Sequence, residues 1–431
     1  MIMADKSLET AFVEAFDRKV GLLGNGSSDA WLTSRRQAIK VFADQGFPGR
    51  KSESYKYTPV RKWMKDGPTL DATRPETGPV PPFGAFDGIH VSTMNGSLLD
   101  ERVDGLPAGL TIMGLRTAYE QNPVFVRDHM SRIADIERDS FTALAAAFAD
   151  DGILIHVAAG TVVEKPIYVH HVGLSANGFV QPRVLVVAED NSQAHIVEHF
   201  GPAGAGTTFE NRMVEMFVGP RANLRHVVVY EREHDARFVN GLHVHQAQES
   251  VFATNHITLG GGMVRHNLNF LPDAEHCETH LNGLYIARDD AHIDNHTLVD
   301  HAKPNCFSNE LFKGIISDTS TGVFNGKVLV RQDAQKINAY QSSKSILLDK
   351  TAHIYAKPEL EIYADDVKCS HGATTGMLDE DALFYLMARG IPKSRARVML
   401  LEAFARDVVD LVTIEPVKEY LNDRLHEILA R

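Results

Sequence analysis

Cysteine is scarce in this chain. Only Cys277, Cys306 and Cys369 occur, odd in number and widely scattered, which makes a poor disulfide framework and suits a reducing compartment. No apolar run approaches the roughly 18 to 20 residues needed to cross a bilayer. The first residues, Met1 to Phe12, lack both a basic start followed by an apolar stretch and an Arg/Ser-rich amphipathic pattern. No export is indicated, so a soluble cytoplasmic protein without a membrane partner is expected. Basic residues are also in deficit: 44 Lys and Arg stand against 56 Asp and Glu, a formal net charge of −12. Duplex nucleic acid is disfavoured as a partner, because phosphate contacts need clustered cations.

What is abundant is histidine. Of 21 in the chain, 18 lie between His156 and His371, so the middle segment differs chemically from both ends. Hydrophobic residues make up 44% and charged residues 23% of 431, ordinary globular values for two or three domains or for one long solenoid.

The N-terminal part reads as helical. Ser7 to Val20 and Trp31 to Phe42 carry apolar residues close to i, i+3, i+4 spacing, and Gly46-Phe-Pro-Gly49 ends the second. Residues 66–107, with Pro68, Pro75, Pro79, Pro81 and Pro82, read as a linker over irregular structure. A further helix is expected from about Phe125 to Asp150. From Ile153 to Ala373 the pattern changes to short β-branched runs between turn residues, such as Ile153-Leu-Ile-His-Val157 and Arg183-Val-Leu-Val-Val187. Ala-His-Ile recurs at Ala194, Ala291 and Ala352, each opening a run, with Ala222-Asn-Leu224 in an equivalent place. A β-solenoid is the natural reading and an antiparallel sandwich or cupin-like barrel its rival. After Gly376 the sequence turns helical. Asp379 can cap a helix through Arg389, Gly390 suits its end, and two more helices follow from about Pro392 to Val412 and Pro416 to Ala430. The resulting division is 1–107, helices and linker; 108–375, the β core; and 376–431, a helical bundle.

Several constellations could carry chemistry. Cys369-Ser-His371 puts a thiol and an imidazole two residues apart on a strand, on the same face with Cα atoms roughly 6.6 Å apart. His243-Val-His245 places two imidazoles on one strand face but lacks a third ligand in register. His276-Cys277-Glu-Thr-His280 mimics a zinc-protease motif without glutamate directly after the first histidine and without a helical setting. His292, His296 and His301, with Asp289, Asp290, Asp294 and Asp300, read as stacked polar outward positions or as a hydrolase cluster. Gly322-Val-Phe-Asn-Gly326-Lys327-Val328 fails the phosphate-loop spacing, and Gly260-Gly-Gly262 reads as a turn.

The run Ile362-Tyr-Ala-Asp-Asp-Val-Lys-Cys-Ser-His-Gly-Ala-Thr-Thr-Gly376, followed by Leu383-Phe-Tyr-Leu-Met-Ala-Arg-Gly-Ile391, closely resembles the C-terminal signature of the SufB/SufD family, and within it the SufD branch. Supporting stretches are Gly326-Lys-Val-Leu-Val330, Gln341-Ser-Ser-Lys344, Lys357-Pro-Glu-Leu-Glu361 and Ser52-Glu-Ser-Tyr-Lys-Tyr-Thr58. Ser370 and Gly372 flank His371 where SufB members tend to carry acidic residues, which favours SufD.

This resemblance implies a mainly β protein, a right-handed parallel β-helix flanked by N- and C-terminal helices. It implies a non-catalytic scaffold subunit of iron–sulfur cluster assembly. SufB would join through the β-helix core and the ATPase SufC would dock on the C-terminal bundle, with homodimerisation of the isolated chain left open. His371 matches the family histidine implicated in cluster or iron binding, and Cys369 a nearby cysteine. The cargo would be a nascent cluster or iron, transient and shared with SufB, with none held tightly by the chain alone. Arg389, Gly390, Ile391, Pro392, Arg397 and Leu401 are the docking residues expected on the bundle, where Lys393, Arg395 and Arg397 form a basic strip beside Leu400, Leu401 and Phe404. A β-helix carbohydrate-active enzyme and a stand-alone metal-dependent cupin-type enzyme are the alternatives from another class.

Overall fold

The structure, a computed structural model, describes residues 8–22, 30–49, 51–64, 67, 68, 70, 83–99, 103–172, 178–202 and 208–430. Of the sequence expectations, Ser7 and the Pro75 to Pro82 part of the linker lie outside these residues.

Short β-branched runs separated by tight turns stack into a parallel β-solenoid of about seven turns. The chain alternates between two facing sheets. The first runs from Ile89–Met94 through Ile167–Val172, Gln193–Phe200, Asn223–Tyr230, Val251–Thr258, Glu278–Ala287, Phe307–Ile316 and Ile337–Leu347 to Val367–Gly376. The second runs from Ile153–Val157 through Arg183–Ala188, Phe209–Val218, Arg237–Gln246, Met263–Pro272, His292–His301 and Thr321–Val330 to His353–Ile362. Asn223 lies beside Val251, Val251 beside Glu278 and Glu278 beside Phe307, a repeat of 27 to 29 residues. Inward side chains of both sheets, Leu224, Phe252 and Leu281 facing Val214, Leu242 and Leu268 among them, form the continuous apolar core that no single turn could bury.

One turn repeats with a clear backbone cause. Asn191, Arg221, Glu249, His276, Asn305 and Lys336 all take positive φ between 56° and 62°. The residue that follows is Ser192, Ala222, Ser250, Cys277, Cys306 or Ile337, mostly small, and the strand starts directly after it or, in the last case, at Ile337 itself. The Ala-His-Ile repeat is only partly in phase. Ala291 and Ala352 precede strands two rungs apart in the second sheet, whereas Ala194 lies inside a strand of the first sheet beside Leu224.

The outer faces are covered by helices. Leu8–Leu22, Ala30–Gln45 and Ser140–Phe148 pack Phe12, Phe16, Phe42 and Phe148 against Phe209, Val239 and Met263 of the second sheet. Lys393–Val409 and Glu415–Leu429 pack Val398, Leu401, Val408, Leu421 and Leu425 against Val229, Leu284 and Ile315 of the first. The C-terminal helices follow the sequence expectation closely: the Asp379 carboxylate accepts the Ala382 N–H at 2.9 Å, and Gly390 sits at φ 84° after Glu380–Ala388.

Two expectations are corrected. The single helix from Phe125 to Asp150 is broken: Pro123–His129 and Ser140–Phe148 are separate, because the buried Glu215 carboxylate gathers the backbone N–H groups of Ser131, Arg132, Ile133 and Ala134 at 2.6 to 3.1 Å. The region read as linker contributes structure as well, since Ile89–Met94 pairs in parallel with Ile167–Val172 and Ser97–Leu98 folds back antiparallel on it.

Candidate functional site at the open end of the solenoid

The two ends of the solenoid differ. At its start, Ser97–Leu98 and Leu110–Gly114 add antiparallel strands to the two sheets. At its other end, His353–Ile362 and Val367–Gly376 are terminal strands of their sheets, each paired on one side only among the described residues. Tyr355, Ile362 and Tyr363 are exposed there. A free parallel edge with exposed aromatics invites pairing with another chain unless something covers it.

Cys369 and His371 lie on this last strand. Cys369 is in register with Ala339 and His371 with Gln341, so both project from the face that is inward on every earlier rung. Cys369 is half-buried and its thiol is pushed up by burial, opposed by a hydrogen bond with the Ala339 backbone. His371 is exposed. Among the described residues no group of three or more His, Cys, Asp or Glu could hold a metal ion, so the pair by itself makes no complete metal site. The other thiols are elsewhere: Cys277 and Cys306 are buried at stacked turns, both donating to the Ala274 carbonyl at 3.2 and 3.1 Å.

Sequence reasoning missed that the inward face beneath His371 is polar. Inward positions on successive rungs read His226, Thr254, Leu281, Glu310, Gln341 and His371. Glu310 is fully buried; burial pushes its carboxyl up to about 7, while the Thr297 hydroxyl, donating at 2.6 Å, and the neighbouring Gln341 amide act in the opposite direction. Deeper in, Glu198 accepts from Arg212 and, at 2.7 Å each, from His171 and His226. Its carboxyl lies well below the usual range: burial raises it, but Arg212 and the two imidazole hydrogen bonds outweigh that rise. The signal that finds these positions is the positive-φ turn residue of each rung, since Thr254, Leu281, Glu310, Gln341 and His371 each fall five places after it or its equivalent in register.

The remaining histidine motifs are not brought together. His243 is buried, its pKa lowered to about 4 by burial, whereas His245 pairs with Asp273 at 3.3 Å. His276 sits in an αL turn, and the strand after Cys277 starts at Glu278, so the protease-like geometry is absent there. His292 and His296 lie on the outer face of their strand, where His292 meets the Thr58 hydroxyl at 3.2 Å and His296 meets Asp294 at 3.1 Å. His301 points inward to Ser308 at 2.9 Å, so the cluster is divided between two faces. A cleft of about 540 Å³ between residues 53–55, 133–142 and the second sheet holds several carboxylates. Those of Asp300, Glu361, Glu53 and Glu359 pair with Arg331, Lys327 and Lys357, which ties them as structural partners instead of freeing an acid and a base.

Sequence comparison places these features in a known context. Residues 171–404 match the family described as SUF system FeS cluster assembly, SufBD core domain, and residues 6–169 match the SufBD protein N-terminal region. The chain belongs to the SufBD family. It is 28% identical over 404 residues to the iron–sulfur cluster assembly protein SufD of Escherichia coli, covering 91% of this chain and 92% of that one. It is 25% identical to SufD of Bacillus subtilis, covering 96% of each, and 28% identical to a SufBD family protein of Synechocystis, also covering 96% of each. The SufBD core match includes the open rung, Cys369 and His371.

The C-terminal helices of this SufBD chain divide into covered and uncovered parts. Arg389, Gly390, Pro392 and Arg397 are exposed and Ile391 partly so. Leu401, at 1% exposure, is packed against the first sheet, where the apolar stripe of Lys393–Val409 closes the core. Glu380–Ala388 buries only Leu383 and exposes Phe384, Tyr385 and Met387, beside exposed Met377. Among the described residues no helix is long and apolar enough to cross a membrane.

Proposed function

We propose that this chain is a SufD-type, non-catalytic scaffold subunit of cytoplasmic SUF iron–sulfur cluster assembly. A SufB-type subunit seats on the open end of the solenoid, and the nascent cluster or its iron is held at that junction. The observation that carries this reading is the uncovered last rung with Cys369 and His371 side by side on its inward face. A cluster normally takes four ligands dominated by thiolates. One imidazole and one thiol are a partial set whose remainder the partner supplies, and the sparse cysteine content fits that division.

His371 is the principal ligand and Cys369 an auxiliary one. A neutral imidazole binds iron through one nitrogen, and its bond is more labile than that of a thiolate, which suits a site that hands its cargo on. The Cys369 thiol, raised by burial, is the poorer ligand until a metal displaces its proton. The exposed apolar face of Glu380–Ala388, with Arg389, Gly390, Ile391, Pro392 and Arg397 following it, is the docking region for the ATPase SufC, whose turnover drives the scaffold.

The test is co-expression with SufB- and SufC-type partners, followed by anaerobic reconstitution and assay of iron and sulfide. His371→Ala should abolish cluster accumulation and Cys369→Ala should reduce it only in part, with complex formation intact. The opposite order would reverse the assigned roles, and failure to co-purify with a SufB-type subunit would remove the reading.

A further inference from the structure

Gln341 is an anomaly in the core. It is 3% exposed, yet its side-chain Oε1 has no hydrogen-bond partner, and its amide reaches the Glu310 carboxyl only outside normal hydrogen-bond geometry. One rung deeper, Glu310 Oε1 is also buried without a hydrogen-bond partner of normal geometry. Burying an amide unpaired is costly and uncommon in native cores. The fold nevertheless makes room for this one. Gly326 faces it from the second sheet, and a Cβ there would lie 2.4 Å from Gln341 Nε2 and 2.6 Å from the Phe324 ring. Gly326 and Gln341 head two of the sequence stretches that carry the family signature.

Their position explains them. Gln341 is the in-register neighbour of His371 and Glu310 that of Gln341, so the three side chains form one column with strands about 4.8 Å apart. The column opens only at His371. Resting on the proposed role of His371, we propose that Gln341 is a positioning residue of the cargo site. Its Oε1 accepts the N–H of one His371 ring nitrogen while the other ring nitrogen takes iron, and its Nε2 donates inward to Glu310. Histidines that ligate metals almost always give their second nitrogen to such an acceptor, which fixes tautomer and ring orientation. Glu310 orients the amide, Gly326 supplies the space, and the unpaired atoms are satisfied when the site is loaded.

The experiment measures ferrous-ion affinity anaerobically, by chelator competition, in the complex with the SufB-type subunit, for wild type, Gln341→Leu, Gln341→Glu and His371→Ala, with a melting curve for each. Gln341→Leu should bind iron about 10- to 100-fold more weakly while melting no lower than wild type, since it removes an unpaired buried amide. Gln341→Glu, which keeps the acceptor, should bind close to wild type. Wild-type affinity in Gln341→Leu together with loss in His371→Ala overturns this inference alone. Wild-type affinity in His371→Ala overturns the proposed function of that residue and this inference with it. A Gln341→Leu chain that loses iron and melts well below wild type would make Gln341 merely structural.

Discussion

Replacing Glu198 by leucine tests whether the polar interior is an obligatory part of the fold. The carboxylate is inaccessible to solvent and takes hydrogen bonds from Arg212, His171 and His226. The network is closed around it: Thr93 donates to His171 Nδ1 at 3.0 Å, Thr254 donates to His226 Nδ1 at 3.1 Å, and Arg212 Nη1 meets Asn240 at 2.5 Å. Removing Glu198 leaves a fully buried guanidinium without its hydrogen-bonded counter-ion and two imidazole N–H groups without acceptors. Breaking one side of a buried ion pair costs about 3–5 kcal/mol, and the stranded donors push the loss to the top of that range. The double replacement Glu198→Leu with Arg212→Leu should recover much of it, because the orphaned charge dominates the single variant. Because solenoid stability is nearly a sum over neighbouring rungs, the loss should be local. Hydrogen exchange should accelerate across Gln193–Phe200, Phe209–Val218 and Asn223–Tyr230 and stay unchanged in Thr321–Val330, with urea unfolding followed by circular dichroism giving the magnitude. A loss below about 1 kcal/mol, or a double variant less stable than the single, would refute the reasoning.

Acid sensitivity is expected well above the carboxylate range. Burial lowers His243, His292 and His301 to about 4, and His170 and His266 to about 3. The unfolded chain therefore takes up protons first, and stability falls as pH drops below about 6.5, by about 1.4 kcal/mol per pH unit for each such histidine until its folded value is reached; equal urea midpoints at pH 7.5 and pH 5 would contradict this. Asp294→Asn should loosen the N-terminal segment, since Asp294 is buried between Arg265 at 2.5 Å and the Thr58 hydroxyl, and the neutral amide leaves Arg265 uncompensated at a cost of about 3–5 kcal/mol. Trp63, 6.2 Å from His292 between ring centroids, reports it: its fluorescence transition should precede the loss of strand signal in the variant and coincide with it in the wild type.

The sequence made the local signals legible and concealed the long-range ones. Asp379, Gly390 and the prolines near the first turns announce the C-terminal helices because capping and φ preferences act within a few residues. The break in the expected 125–150 helix was invisible, because its cause, Glu215, lies more than 80 residues away on a strand. Cys369 and His371 could be paired from alternation alone, which is why that half of the candidate site was found. Its other half was hidden by a rule that fails in this fold. Polar residues on strands were read as outward, yet His292 and Asp294 are outward and still buried under the N-terminal segment, while Glu198, His226, Glu310 and Gln341 face inward. In a solenoid an inward polar residue is tolerable only if its neighbours on adjacent rungs complete its hydrogen bonds, so such residues must occur as columns and not singly. At the deep end the column is closed by Arg212 and paired histidines. At the shallow end it stops at Gln341 with its atoms unpaired, one strand below an exposed imidazole, which is where a closed fold would be least able to bear them and where an arriving ligand can satisfy them.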